Sequence, residues 1–425
     1  MVTGSNFLLD TGSGKLLIDC GLMQGMGEEK NWEPFAYNPA DISHLIVTHA
    51  HVDHIGRIPR LVKKGFKGKI VSTKATMALA EPLLEDAMEI MGYAAEKGGR
   101  EEFYNKADIA AAMRLWSGIG YNEKVELPDG VVLELLDAGH ILGSAMARLS
   151  RKGRSIVFTG DLGGGNSPLL PPTQEVAGAT YVVMEGTYGD KMRQDSNRRE
   201  ELENVIEDTA ARGGTLLIPA FSTERTQDLM YEIRNLMVEK RIPSIPVFVD
   251  SPLAQKITAI FSEYLPEFDF QFPELRFVEG VDASRKVHET PSPKIILAGS
   301  GMSSGGRVVG HERVVLPDPK STLLIVGYQA AGTLGRRLIE GAKTLKIYKE
   351  TVPVRAKVVA LYGYSAHRDS ESLLEFANHV AESAEEIFVV HAEPAASAFL
   401  VQRIRDYLGV KATAPEAGGK VTLKF

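Results

Sequence analysis

Leu45-Ile46-Val47 leads into His49-Ala50-His51-Val52-Asp53-His54, so an apolar, strand-like run delivers three imidazoles and a carboxylate within six consecutive positions. Ligand-type side chains crowded into one turn repel or stay unsatisfied without a cation, and imidazole with carboxylate suits a borderline ion such as zinc. The whole chain holds only 10 histidines, so three of them in six positions do not read as the scatter of a solvated loop. At a strand exit, His49 and His51 stand two apart and can face one ion, while Asp53 and His54 come from the next turn and can face another. The helical zinc motif H-E-x-x-H is absent, which argues against a zincin.

A chain of 425 residues exceeds what one hydrophobic core usually fills, so two domains are expected. No apolar run approaches the roughly 18 residues that span a bilayer, and the opening Met1-Val2-Thr3-Gly4-Ser5-Asn6 lacks the basic and apolar parts of a signal peptide. The expectation is a cytoplasmic protein with no membrane partner. The single Cys20 excludes an internal disulfide and a cysteine-rich zinc knuckle, so metal binding must rest on His and Asp. A net charge of -7 argues against indiscriminate nucleic-acid binding. It leaves a phosphodiester substrate open, because bound cations or a local basic groove would supply the positive field.

Outward from the histidine turn, Phe7 to Leu9 and Leu16 to Ile18 read as a hairpin around Thr11-Gly12-Ser13-Gly14, and Asp19 closes its second strand. Ile58 to Lys64 and Ala75 to Lys97 carry helical spacing, with a strand at Lys69 to Ser72 between them. Further apolar runs end at His140 after Val131 to Leu136, at Asp161 after Ser155 to Thr159, and at Glu185 after Tyr181 to Met184. Late in the chain, Lys357 to Leu361 precedes His367 and Ile387 to Val390 stops at His391. Strands that finish along a common edge would gather these polar groups in one place.

Between Thr187 and about Pro353 the pattern changes to strand and helix units: Thr215 to Ile218, Thr223 to Lys240, Val247 to Val249, Pro252 to Tyr264, Lys294 to Leu297, Leu323 to Val326, Thr333 to Gly341 and Leu345 to Tyr348. This block reads as a parallel α/β domain inserted into the first. The expected organisation is a first domain in two segments, residues 1–186 and 354–425, with an insertion at 187–353.

In their order and strand-end setting, Asp19, His49-x-His51-x-Asp53-His54, His140 and Asp161 resemble the successive motifs of the metallo-β-lactamase superfamily. Glu185, His367 and His391 resemble the three further motifs of its β-CASP branch, a nucleic-acid-processing group. The resemblance spans nearly the whole chain and implies an αββα sandwich with an inserted parallel α/β β-CASP domain. It implies that His49, His51 and His140 hold one zinc (Zn2+), that Asp53, His54 and His391 hold a second, and that Asp161 bridges them. Asp19 looks like the carboxylate that orients a ligand histidine. The implied activity is hydrolysis of RNA phosphodiester bonds by a hydroxide activated at neutral pH between two ions, endonucleolytic with a 5′ exonucleolytic mode also open. Asp53, Asp19, His367 and Glu185 are the residues expected to serve catalysis, with His367 as the general acid supported by Glu185. His391 resembles the RNA-processing members more than the DNA-processing ones, so the implied partner is single-stranded RNA, and a homodimer is also open. The family places a short strand ahead of Val2-Thr3-Gly4-Ser5, and this chain starts almost on that segment. No amino-terminal KH module fits the length, which suggests the compact bacterial or archaeal type.

In the insertion, Gly299-Ser300-Gly301-Met302-Ser303-Ser304-Gly305-Gly306-Arg307 follows a strand, and its N–H groups and hydroxyls are suited to phosphate. It resembles a phosphate-contacting loop of β-CASP enzymes. Phe221-Ser222-Thr223-Glu224-Arg225 and Gly327-Tyr328-Gln329 resemble other family segments. Expected RNA contacts are Ser300, Gly301, Ser303, Ser304, Arg307, Arg225, Tyr328 and Gln329. Gly301-Met302-Ser303-Ser304-Gly305 also satisfies the G-x-S-x-G pattern of a serine hydrolase, a reading that leaves the histidine turn unexplained. A hydrolase of a small ester or thioester on the same fold would not need the inserted domain. A non-catalytic RNA-binding subunit would not need a full ligand set. His44, His288, His311 and His379 lack matching partners in the sequence and read as structural or surface residues.

Overall fold

Thr11-Gly12-Ser13-Gly14 turns the chain between β1 (Phe7–Asp10) and β2 (Lys15–Ile18), which pair antiparallel, and the Thr11 N–H donates to the Gly14 carbonyl at 2.9 Å. The computed structural model describes residues 3–25, 27–165, 167–192, 197–327, 329, 332–364 and 366–425. From β2 the first sheet grows by parallel pairing through β3 (Ile42–Ile46), β4 (Lys69–Thr73) and β5 (Trp116–Ile119). The crossovers carry α1 (Val52–Ile55), α2 (Ile58–Lys63), α3 (Lys74–Gly98) and α4 (Lys106–Arg114). α3 buries Leu79, Leu83, Leu84, Ala87, Met91 and Ala95, the spacing of one helical face.

The second sheet has the order β20-β19-β10-β9-β8-β7-β6, from β6 (Lys124–Leu127), β7 (Val131–Asp137), β8 (Ala145–Arg151), β9 (Arg154–Phe158), β10 (Tyr181–Glu185), β19 (Glu386–Val390) and β20 (Ala412–Thr413). In β7, buried Val131, Leu133 and Leu135 alternate with less buried Val132 and Glu134, so one face of the strand points inward. Leu16, Ile18, Ile46 and Val71 of the first sheet pack with Leu133, Leu149, Ile156 and Phe158 of the second. Each fully buried aliphatic side chain contributes about 1.5 to 3 kcal/mol relative to exposure. α11 (Ser370–Ala381) and α12 (Pro394–Leu408) bring Leu373, Phe376, Leu400 and Ile404 to Val157, Val182, Met184 and Val389. Helices flank two packed sheets, the expected αββα sandwich.

The inserted block is a wholly parallel six-stranded sheet, order β13-β12-β14-β11-β15-β18, from β11 (Thr215–Pro219), β12 (Val247–Asp250), β13 (Leu275–Phe277), β14 (Lys294–Ala298), β15 (Thr322–Ile325) and β18 (Lys357–Ala360). Its helices are α5 (Arg198–Ala211), α6 (Arg225–Val238), α7 (Pro252–Tyr264), α8 (Val281–Lys286), α9 (Arg307–Val315) and α10 (Leu334–Ile339).

The chain divides into two units, Met1–Gly165 with Leu170–Met192 and His367–Phe425, and Asn166–Leu169 with Arg193–Ala366. Their junctions lie at 192/193 and 366/367, against the 186/187 and 353/354 expected from sequence. Lys357–Ala360 accounts for the later return, because it hydrogen-bonds to β15 in the inserted sheet. Leu345 and Ile347 belong to no parallel unit either. They lie in β16 (Thr344–Ile347), which pairs antiparallel with β17 (Glu350–Pro353) in a two-stranded ribbon that buries alternate residues.

Candidate metal centre

The histidine turn sits where β3 ends, and the chain after β2 runs beneath it. Cys20 N–H donates to the His54 carbonyl at 2.8 Å, Leu22 N–H to Val52 at 2.9 Å and Ser5 N–H to Asp53 at 2.9 Å. A Cβ on Gly21 would stand 1.6 Å from the Asp53 carbonyl oxygen, so this close passage admits only glycine. Similarly, a Cβ on Gly163 would stand 1.8 Å from the Gly139 carbonyl oxygen, and its absence lets the loop after Asp161 lie against the loop that carries His140.

These approaches bring together His49, His51, His140 and Asp161 as one group of potential ligands and Asp53, His54 and His391 as a neighbouring group. His49 Nε2 lies 3.1 Å from His51 Nδ1, His140 Nε2 lies 3.3 Å from the same atom, and both Nε2 atoms lie 3.5 Å from Asp161 Oδ2. Donors about 2.0 to 2.1 Å from a tetrahedral ion stand about 3.3 to 3.4 Å from each other, so this quartet has the separations of such a shell. Around the other oxygen, His54 Nε2 is 3.3 Å and His391 Nε2 3.7 Å from Asp161 Oδ1. Asp53 Oδ2 is 3.5 Å from His391 Nε2 and 4.0 Å from His54 Nε2. His54 Nε2 and Asp161 Oδ1 are buried without a hydrogen-bond partner among the described residues. Buried polar atoms left in this way are costly, and a cation between them removes the cost. The residues therefore fit divalent ions, with Asp161 facing both groups.

Electrostatics agree with that arrangement. Burial pushes His49 and His140 well below the usual imidazole range and His51 down to about 4, leaving neutral rings able to donate a lone pair. Burial also opposes charge on His54, but Asp161 and Asp19 outweigh it and raise this ring well above its ordinary value. Burial disfavours the Asp161 anion, yet His391, His54 and His49 outweigh it and hold its carboxyl well below the carboxylate range.

Several of these candidate ligands are fixed by hydrogen bonds behind them. Asp19 accepts from the Thr48 N–H and hydroxyl, each at 2.8 Å, and its Oδ2 meets His54 Nδ1 at 2.7 Å. The Thr48 hydroxyl also lies 3.1 Å from His49 Nδ1. Ser144 Oγ accepts from the His140 N–H at 2.9 Å, and Ser5 Oγ lies 2.9 Å from His391 Nδ1. Thr48, Ser144 and Ser5 were not singled out from sequence. Thr48 directly before the motif was the one with a local signal, as a hydroxyl next to a ligand.

Glu185 is wholly buried and accepts the Leu162 N–H at 2.7 Å and the Thr187 N–H at 3.2 Å, while its Oε1 lies 3.1 Å from His367 Nδ1. Burial disfavours charge on His367, but Glu185 outweighs it and lifts the ring to about 9. His367 reaches the edge of the ligand cluster, its ring centroid 4.7 Å from that of His140. Asp161, Glu185 and His367 also form a third group close enough to share an ion.

In the inserted unit, the loops after β11, β14 and β15 leave from the same strand edge of the parallel sheet, the edge where such sheets bind ligands. Most of the expected RNA contacts there are already committed. Arg225 is buried against Asp228 at 2.8 Å, and Arg307 is paired with Asp250 and bonded to the Val278 carbonyl. Gln329 Nε2 donates to the Gly301 and Gly327 carbonyls at 2.9 and 3.2 Å. Ser303 is buried with its hydroxyl on Glu312, whereas Ser304 is exposed and Ser300 Oγ accepts the Ser304 N–H at 3.1 Å. Tyr328 lies outside the described residues. The serine-hydrolase pattern does not form a nucleophile and base, because His311 turns Nε2 to Asp250 at 2.7 Å and Nδ1 to His288 at 2.9 Å.

Comparison with known proteins gives three family matches: the metallo-beta-lactamase superfamily over residues 2–212, the Beta-Casp domain over 226–338, and the Zn-dependent metallo-hydrolase RNA specificity domain over 351–415. The protein named Ribonuclease TTHA0252, from Thermus thermophilus, is 35% identical over 390 residues, covering 88% of each chain. The chain belongs to the β-CASP branch of the metallo-β-lactamase superfamily. Another relative, the protein named Transcription termination factor FttA from Methanosarcina mazei, is 31% identical across 96% of this chain and 68% of its own. A solved structure titled as a protein of unknown function from Enterococcus faecalis shares the fold, with a TM-score of 0.58 at 12% identity over 100% of this chain and 97% of its own. The β-CASP model lies wholly within the inserted parallel unit, and the superfamily model covers every candidate ligand except His367 and His391. Among the described residues no helix is long and apolar enough to cross a membrane.

Proposed function

We propose that this β-CASP protein is a cytoplasmic, zinc-dependent ribonuclease that hydrolyses single-stranded RNA. The observation that carries the reading is the Asp161 carboxylate, whose two oxygens face two different sets of buried ligand atoms at 3.3 to 3.7 Å. In this reading His49, His51 and His140 would hold one zinc, Asp53, His54 and His391 the other, with Asp161 shared. When bound, such a pair supplies hydroxide at neutral pH and offsets negative charge on a phosphoryl oxygen.

The remaining work falls to the chain. Asp19 fixes the His54 ring through Nδ1, so that Nε2 points at Asp161. His367 carries its positive charge against Glu185, and the Nε2 proton is the one positioned for delivery to a leaving 3′ oxygen. Glu185 is locked by two backbone N–H groups, so it orients that ring without leaving its place. In the inserted unit, the glycine N–H groups and the Ser300 and Ser304 hydroxyls of the glycine-serine loop are the proposed phosphate contacts, with Arg225, Arg307 and Gln329 as supports. Two features favour RNA: the RNA specificity match over residues 351–415 and a relative that is named a ribonuclease.

The deciding experiment offers purified protein a 5′-labelled linear RNA and a circular RNA of the same sequence, alongside metal analysis. About two zinc ions per chain and cutting of the circle are expected. Release of mononucleotides from the 5′ end of the linear RNA would add the exonucleolytic mode. Zinc-loaded protein that cuts neither substrate overturns the reading.

A further inference from the structure

Within the inserted unit, Ser303 combines two features that a loop serine seldom has. Its φ of +55° lies in the left-handed region, where a Cβ is unfavourable, and its side chain is wholly buried. A conformation of this kind persists only when surrounding groups hold it. The group that meets the Ser303 hydroxyl is Glu312 Oε1, from the middle of α9. Glu312 is itself wholly buried, and its Oε2 has no hydrogen-bond partner among the described residues. A carboxyl placed so expensively in a helix interior is doing something that an aliphatic side chain there would not do.

We infer that Glu312 is a positioning residue: through Ser303 it holds the glycine-serine loop of residues 299–306 in the shape that presents its outward face at Ser304 and its glycine N–H groups to an RNA phosphate. The part of this statement that concerns RNA rests on the ribonuclease reading; the part that concerns the loop does not. α9 is a firm base for such a support, because Arg307 at its start and His311 one turn later both bind the buried Asp250. From the other side, Gln329 grips the Gly301 carbonyl, and the Gly335 N–H donates to Met302 at 3.3 Å. The loop is thus held at Gly301, Met302 and Ser303, while Ser304 faces outward. Burial lifts Glu312 to about 7, so near neutrality much of it is an uncharged acid, the form that tolerates an unpartnered oxygen.

Three variants test this, Glu312→Ala, Glu312→Gln and Ser303→Ala, each read by steady-state cleavage of single-stranded RNA, zinc content and hydrogen exchange of the loop amides. Glu312→Ala and Ser303→Ala should raise KM roughly tenfold at little-changed kcat and zinc content, and speed exchange across 299–306. Glu312→Gln keeps a neutral hydrogen-bonding group of the same shape and should restore both readouts. Wild-type KM and exchange in Glu312→Ala, or a fall in kcat at unchanged KM, overturns the inference, and so does a Glu312→Gln protein as impaired as the alanine variant. Should Glu312→Ala fail to fold, Ser303→Ala decides by the same readouts. Exchange needs no substrate, so faster exchange in the variants alongside a wild type that cuts no RNA would sink the ribonuclease reading and keep the support role. Unchanged exchange with an active wild type would sink the support role alone.

Discussion

Asp19 Oδ2 lies 2.7 Å from His54 Nδ1, and both residues are almost entirely buried. The carboxylate therefore selects which ring nitrogen of His54 carries a proton and which faces Asp161. Replacing Asp19 by Ala should weaken zinc retention about 10- to 100-fold, the usual effect of losing a partner behind a ligand histidine. A chelator competition measures it, with cleavage recovering at high zinc. Retention equal to the parent would remove Asp19 from this role.

Asp53 is more exposed than His391, which it faces at 3.5 Å, its side chain 15% accessible against 6%. Asp53→Ala should abolish cutting and lower zinc toward one ion per chain, while RNA binding in a filter assay stays close to the parent's. Undiminished cleavage would refute the two-ion mechanism.

His367→Ala should lower kcat by about 10²- to 10⁴-fold, the range for loss of a general acid, with zinc content unchanged. Because Asp161, Glu185 and His367 also cluster, metal analysis is the discriminating measurement. Loss of an ion would make His367 a ligand.

Zinc binding should release protons. With Asp19 and Asp161 outweighing burial, the His54 ring of the metal-free protein stays charged above the pH at which imidazole ordinarily titrates, yet a ligand histidine must be neutral. Apparent zinc affinity should accordingly rise with pH through neutrality, and calorimetry in two buffers of different ionisation heat should show the release. Affinity independent of pH would count against His54 as a ligand.

Glu312 gives a pH signature in stability. Its folded value of about 7 lies above the ordinary 4.5, so the folded protein binds the proton more tightly than the unfolded chain does. The contribution is complete below about pH 4.5 and is lost as pH rises through about 7, amounting to about 3 kcal/mol in all. Urea unfolding of the parent and of Glu312→Gln across pH 5 to 8 should show the gap between them changing in that direction. A constant gap would place the titration elsewhere.

The convergence of the candidate ligands was legible in the sequence because each follows an apolar strand, and a strand end is fixed by local pattern alone. The hairpin before Asp19 and the long helix at 74–98 were legible for the same reason. What stayed hidden depends on distance along the chain. Ser5 meets His391 across 386 residues, and nothing near either residue announces the other. Arg225 and Arg307 looked available for phosphate because a sequence shows a cation without showing the buried carboxylates, Asp228 and Asp250, that neutralise it. Lys357–Ala360 was assigned to the wrong side of a junction because an apolar run does not reveal which sheet it will join.

That last strand carries a practical lesson for anyone dissecting the protein. A fragment cut at residue 353 to isolate the inserted domain would strip β15 of its outer neighbour and expose one edge of Thr322–Ile325, an apolar margin ready to recruit another chain. A soluble fragment should extend to Ala366, so that the domain leaves with its own border intact.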